Sequence, residues 1–141
     1  MGLPAMIRTL IIDDEPHIRD TLRKLLARHC PQVSVVGEAA GVAEGIRVIQ
    51  KLQPDLVLLD INLEDGTGFD LLHSLGSVDF KTIFISACDR NTIQDIKLSS
   101  LAFLTKPINP KELVGAVKHA EKDNQQELAL KLQAFEVNVR R

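Results

Sequence analysis

The sequence predicts an α/β domain in which a five-stranded parallel sheet carries helices on both faces. Short runs of branched apolar residues alternate with helix-length amphipathic stretches, the pattern of repeated strand and helix units. With 45% of its 141 residues apolar, the chain has material for one core and no room for a second full domain. The polar residues that end the apolar runs fall at the same end of every strand that carries one, which is where open α/β sheets bind ligands.

The strands are expected at Thr9–Ile12 (TLII, leading into Asp13), Val33–Val36 (VSVV, leading into Gly37), Leu56–Leu59 (LVLL, ending in Asp60), Thr82–Ile85 (TIFI, ending at Ser86) and Leu101–Leu104 (LAFL, ending at Thr105 and Lys106). Periodicity alone does not separate such runs from buried helix; their shortness and flanking turn residues favour strand. Between them, Ile18, Leu22, Leu25 and Leu26 recur at helical spacing within Glu15–His29, with Pro16 suited to the first turn. Val42, Ile46 and Ile49 mark a second helix that Pro54 closes, and Phe69, Leu71, Leu72 and Leu75 a third that Gly76 ends. The fourth helix, Asn91–Leu98, is short and polar; Pro110 opens the fifth, which nothing after Gly115 obliges to stop.

A formal charge of −2 provides no positive field to gather nucleic acid, so direct DNA binding by this segment is not expected. Cys30 and Cys88 have no disulfide-framework or zinc spacing and read as reduced thiols. No apolar run suits a membrane span and no signal segment opens the chain, so a soluble, cytoplasmic protein is expected; Met1–Met6 has little patterning and Met6 could itself be a start, so residues 1–5 read either as leader or as non-native additions.

Asp13 and Asp14 follow the first strand, Asp60 the third, Ser86 the fourth and Lys106 the fifth. Singly, each reads as a helix cap or an ordinary strand terminus; their coincidence at one edge is what that reading explains poorly. If the first and third strands are neighbours, three carboxylates converge, and they repel unless a cation intervenes. Hard oxygen donors, few enough to leave room for water, suit Mg²⁺. Beside such an ion Asp60 can attack a phosphoryl group, while Lys106 and the Ser86 hydroxyl neutralise the transferring oxygens. No P-loop and no Ser/His or Cys/His pair is present, so nucleotide hydrolysis and acyl transfer fit poorly.

IIDDEP at Ile11–Pro16, LVLLDINLEDGTGFDLL at Leu56–Leu72, FISA at Phe84–Ala87 and FLTKP at Phe103–Pro107 resemble the receiver domains of two-component response regulators, over residues 6–122. The resemblance implies a flavodoxin-like sheet of strand order 2-1-3-4-5. It implies Asp60 as the phosphorylation site and Asp13, Asp14, Asp60 and the Asn62 backbone carbonyl as Mg²⁺ ligands. Ser86 and Lys106 would meet the phosphoryl group, Ser86 and Phe103 would form the switch pair, and Lys106–Pro107 would be a cis peptide. Glu64 stands where many members have proline, and Phe103 lacks the phenolic oxygen of the commoner tyrosine. Phe103 reads equally as a packed core aromatic. His17, His29, His73 and His119 read as surface residues, Gly66 and Gly68 as turn glycines, and Asp65 and Asp70 as turn and helix-start acids.

The implied function is a phosphoryl-accepting switch that catalyses only its own phosphorylation and dephosphorylation and is driven by a sensor histidine kinase. The alternative is a small Mg²⁺-dependent aspartyl-phosphate phosphohydrolase, which usually has a second acid where this chain has Asn62, together with a substrate cap. Beyond Lys122, Leu128, Leu132, Phe135 and Val139 form a short heptad-like stripe, so residues 123–141 read either as an extension folding back or as a linker helix. The core also resembles regulators with a LytTR-type DNA-binding output, which implies DNA contact only through an output domain outside this chain. A homodimer through the fourth helix, fifth strand and fifth helix is the remaining partner expectation.

Overall fold

The computed structural model of the chain describes residues 6–87 and 103–122. In order these form β1 (Ile7–Ile12), α1 (Pro16–His29), β2 (Val33–Ala39), α2 (Val42–Leu52) and β3 (Leu56–Asp60). A hairpin of Asn62–Leu63 against Gly66–Thr67 follows, then α3 (Gly68–Leu75), β4 (Lys81–Ser86), β5 (Phe103–Thr105) and a final helix (Pro110–Lys122). The five long strands make one parallel sheet of order β2-β1-β3-β4-β5, the flavodoxin-like 2-1-3-4-5 arrangement. The expected fourth helix at Asn91–Leu98, the expected start of the last strand at Leu101, Cys88 and the 123–141 stripe lie outside the described residues. Among the described residues no helix is long and apolar enough to cross a membrane.

Strict alternation along the strands divides the core in two. Leu10 and Ile12, Val57 and Leu59, and Phe84 face one side, where they meet Ile49 of α2 and Phe69, Leu71 and Leu72 of α3. Ile7 and Ile11, Leu56 and Leu58, and Ile83 and Ile85 face the other, against Leu22 and Leu26 of α1 and Leu113, Val117 and Ala120 of the final helix. The central strand β3 is buried along its whole length, which is why it reads as an unbroken apolar run. Each fully buried side chain here contributes on the order of 1.5–3 kcal/mol through removal from water.

Strand bounds differ from expectation: β1 begins two residues earlier, at Ile7, and β4 extends by one residue at each end, to Lys81 and Ser86. β2 passes through Gly37 and continues to Ala39, with a register shift opposite Thr9 and Leu10. A Cβ at Gly37 would come within 2.8 Å of the Leu52 side chain, so the glycine admits α2 against the strand and does not end it. The hairpin after β3 was not anticipated. Its Gly66 has φ +148°, a conformation that side chains resist, consistent with the turn role read for it.

The capping acids divide their work. Thr67 and Asp70 form a capping box at the start of α3, with Asp70 N–H donating to Thr67 Oγ1 (3.0 Å) and Thr67 N–H to Asp70 Oδ2 (2.9 Å). Asp65 caps a different helix: Val42 N–H (2.7 Å) and Ala43 N–H (3.1 Å) donate to its carboxylate, holding that carboxyl below its ordinary range and tying the loop after β3 to α2. The four histidines are exposed, as expected.

Gly68 is packed so closely that a Cβ would lie 2.7 Å from the Asp60 carbonyl oxygen, whereas nothing approaches within 4 Å at Gly115 of the final helix. Gly68→Ala should therefore destabilise the fold by about 1–3 kcal/mol, through a clash with backbone that cannot retreat. Gly115→Ala should stabilise it by about 0.5–1 kcal/mol, because an exposed helix interior favours alanine. Urea unfolding midpoints check both; equal effects would contradict the packing.

Candidate metal centre at the carboxyl edge of the sheet

Parallel pairing places Ile12 opposite Leu59, so the residues that follow in the two strands, Asp13 and Asp60, emerge side by side at the carboxyl edge. Asp60 pairs with Ile85 on its other side, and Ser86 pairs with Thr105, which brings Lys106 to the same edge. Asp13, Asp60 and Ser86 are buried, Asp14 is half-buried and Glu15 is exposed.

Lys106 gathers the acids. Its Nζ lies 3.0 Å from Asp60 Oδ2, 3.0 Å from Asp13 Oδ2 and 2.6 Å from Glu15 Oε2. Its backbone N–H donates to the Ser86 carbonyl at 2.9 Å, and the Lys106–Pro107 peptide is cis. Burial draws the ammonium down, but the carboxylates of Glu15, Asp60 and Asp13 outweigh it and hold Lys106 above its ordinary range. Glu15 is held low in turn by the hydrogen bond from Lys106.

Asp60 behaves oppositely. Burial is the main reason its carboxyl is pushed up from 3.8 to about 6, and the charge of Asp13 adds to it; Lys106 and the Asn62 N–H, which donates to Asp60 Oδ1 at 3.1 Å, pull it back only partly. The cluster thus holds more negative charge than its one ammonium neutralises.

Asp13, Asp14, Glu15 and Asp60 each offer a carboxylate oxygen, all within 4.8 Å of one another. Asp13 Oδ2 is buried and makes no hydrogen bond; its ion-pair distance to Lys106 lacks hydrogen-bond geometry. A buried acceptor without a donor, in an all-oxygen set, fits a hard divalent cation. Asn62 sits two residues past Asp60, at the start of the hairpin. Phe103 is half-buried beside Phe84 and packs on the same core face, where the Phe69 and Phe84 rings stand 5.1 Å apart.

Sequence reasoning brought together Asp13, Asp14, Asp60 and Lys106 and missed Glu15. That residue read as the opening of α1, and it does stand at the N-cap position, but its side chain makes no capping bond there; its proximity to Lys106, 91 residues away in the chain, has no local signal beyond the run of three acids.

The response regulator receiver domain matches residues 9–118. The chain belongs to the response-regulator receiver family. It is 36% identical over 121 residues to an uncharacterized response regulatory protein of Vibrio vulnificus, covering 83% of this chain and 48% of that protein. It is 31% identical over 128 residues to the sensory transduction protein LytT of Bacillus anthracis, covering 89% and 52%. With the transcriptional regulatory protein BtsR of Salmonella typhimurium it shares 36% identity over 109 residues, covering 77% and 45%. The LytT relatives agree with the LytTR-type resemblance, and the chain spans about half the length of these relatives. Among solved structures, the receiver domain of Erythrobacter litoralis PhyR superposes with TM-score 0.69 at 26% identity, covering 85% of this chain and 95% of that one. The signal receiver domain of Mycobacterium tuberculosis NarL gives 0.70 at 29%, covering 86% and 100%. Receivers are signalling switches of two-component systems, and the acidic pocket here suits the Mg²⁺ they bind.

The raised carboxyl of Asp60 fixes a sign for metal-free stability. A group whose folded value, about 6, exceeds its ordinary 3.8 contributes stability that is complete below pH 3.8 and lost as pH rises through 6. Asp60→Asn, neutral throughout, should be more stable than wild type by about 2 kcal/mol at pH 7.5 in chelator. The gap should close toward pH 4. Paired denaturation curves across that window test it; a gap that is constant or widens on acidification would contradict the burial argument.

Proposed function

We propose that this chain is the phosphoacceptor switch of a two-component relay, with Asp60 the residue that takes the phosphoryl group from a sensor histidine kinase in a Mg²⁺-dependent reaction. The observation that carries the reading is the buried Asp60 carboxylate held 3.0 Å from Lys106 Nζ beside Asp13. Asp13, Asp14, Asp60 and the Asn62 carbonyl are the residues that would hold Mg²⁺. When bound, the ion supplies charge neutralisation for the phosphoryl oxygens and the acids together.

A carboxylate oxygen of Asp60 forms the new P–O bond as the P–N bond of a phosphohistidine breaks, and the departing imidazole takes a proton and keeps the electron pair. Lys106 Nζ donates to a phosphoryl oxygen, and the Ser86 hydroxyl donates to another. Drawing Ser86 toward the phosphate opens space for Phe103 to turn inward, the switch step. The chain acts on no other substrate.

The rest of the longer relatives corresponds, on this reading, to an output domain that contacts DNA and controls transcription from the cytoplasm, with residues 6–122 as the receiver and 123–141 as the helical connection. Phosphorylation would pair two receivers through the face that includes β5 and the final helix.

Mg²⁺ and acetyl phosphate should add one phosphoryl group to wild type and none to Asp60→Asn, read by intact mass. Labelling that survives in Asp60→Asn, or needs no divalent metal, contradicts the assignment. Lys106→Ala should keep Mg²⁺ affinity while the phosphorylated form loses most of its NMR shift change, because a cation is removed from the phosphoryl oxygens and the acids are spared. Loss of Mg²⁺ affinity with the shift change intact would contradict the role given to Lys106.

For the dimer, sedimentation of the full chain and of a chain ending at Lys122, each with and without phosphorylation, should show association on phosphorylation in both lengths. Monomers throughout would exclude the interface, and association only of the full chain would assign it to the tail.

A further inference from the structure

Every polar atom of Asp13 except one is already engaged. Its N–H donates to the Ala39 carbonyl of β2 at 3.1 Å, its Oδ1 accepts from Glu15 N–H at 2.8 Å, and its backbone carbonyl accepts from Nη1 of Arg19. Oδ2 alone has no hydrogen bond. Arg19 lies one turn into α1, and the same guanidinium reaches in a second direction, with Nε 3.1 Å from Glu38 Oε1 on β2. The other Glu38 oxygen is taken by Arg23, which also holds Asp20. Arg19 is 17% exposed and Glu38 29%, so this pair is partly withdrawn from solvent, unlike the outer Arg23 and Lys24 contacts.

We propose that Arg19 is a positioning residue for the metal site: by bridging the Asp13 carbonyl and the Glu38 carboxylate, it fixes Asp13 so that Oδ2 is presented, unbonded, to the cation. The inference rests on the metal-site reading above and extends it to a side chain that touches neither metal nor phosphate. The fork geometry of the guanidinium is essential, because two acceptors in different directions are met by Nε and Nη1 at once. A lysine places all its donors on one atom and satisfies one acceptor well or both poorly. With the arginine removed, the Asp13 carbonyl loses its side-chain donor and the peptide that carries the carboxylate is free to tilt. Groups that orient metal ligands commonly set affinity in this way.

The test is calorimetric titration of Mg²⁺ into the unphosphorylated full chain. Arg19→Ala should raise the Mg²⁺ Kd about tenfold. Arg19→Lys should fall between the variant and wild type. Phosphorylation by acetyl phosphate should need a correspondingly higher Mg²⁺ concentration for half-maximal rate, with the saturated rate within about twofold of wild type. Thermal melts in chelator monitor the fold, and Arg19→Lys carries the test if the alanine variant does not fold. A purely structural arginine would lower the melting temperature and leave the Kd of the folded protein unchanged; that result, or a lower saturated rate at unchanged Kd, overturns the proposal. Asp13→Asn is the reference. If it binds Mg²⁺ like wild type, or if wild type binds none, the metal-site reading itself fails and this inference with it. If wild type binds, Asp13→Asn does not and Arg19→Ala matches wild type, only the role of Arg19 fails.

Discussion

The parallel pairing of β1 with β3, Ile12 opposite Leu59, is the constraint on which the rest of the site depends. Neighbouring strands run about 4.8 Å apart, so two acids placed one residue beyond that pair cannot avoid each other. Nothing local favours such crowding. It is imposed by the apolar faces of the two strands, which are buried on both sides and bind the register to the core. A one-residue slip would exchange the two core faces, so the carboxylates are held together by hydrophobic packing far larger than their mutual repulsion.

That repulsion is managed by two cations from different parts of the chain. Lys106 comes from beyond β5 and reaches over β4, with its own N–H fixed on the Ser86 carbonyl, to meet Asp60 and Asp13. Arg19 approaches from α1 and meets Asp13 through its backbone. The division matters chemically: the ammonium contacts the carboxylate oxygens themselves, while the guanidinium engages the peptide and leaves those oxygens available. Both depend on helices or strands that the double-sided core sets in place.

How much of this was legible in the sequence follows from which signals are local. The five sheet strands and the three helices through α3 announce themselves through apolar runs and periodicity, and the strand-end polar residues mark the edge at which they converge. The Asn62–Leu63 and Gly66–Thr67 hairpin does not, because two-residue strands have no period to detect. Gly37 misled for the opposite reason: a glycine in a strand pattern reads as a stop, and its use against Leu52 is visible only once α2 is in place. Glu15 and Arg19 were passed over because an acid at a helix start and an arginine within a helix usually face water. Asp65 read as an acid of its own turn, whereas its partners are the N–H groups of Val42 and Ala43, 23 and 22 residues earlier.

Acceptors crowd the Lys106 ammonium. An ammonium has three N–H donors, and in this structure three carboxylates from Asp13, Glu15 and Asp60 already lie within 3.0 Å of Nζ. On the proposed function, a phosphoryl group on Asp60 adds acceptors that compete for the same ammonium with Glu15 and Asp60, which take its hydrogen bonds, and with Asp13, whose Oδ2 it meets as an ion pair. Glu15 is the exposed member of the three, and water can solvate it once released. Asp13 is buried with Oδ2 unbonded, and its release from Lys106 would leave that oxygen, though not Oδ1, without a partner unless a cation binds. The two exchanges therefore differ in their dependence on metal: giving up Glu15 is tolerable in any state, whereas giving up Asp13 is tolerable only when a divalent ion takes the place of the lysine. On the proposed function, phosphate and metal would thereby be coupled through the acceptors crowded around a single side chain.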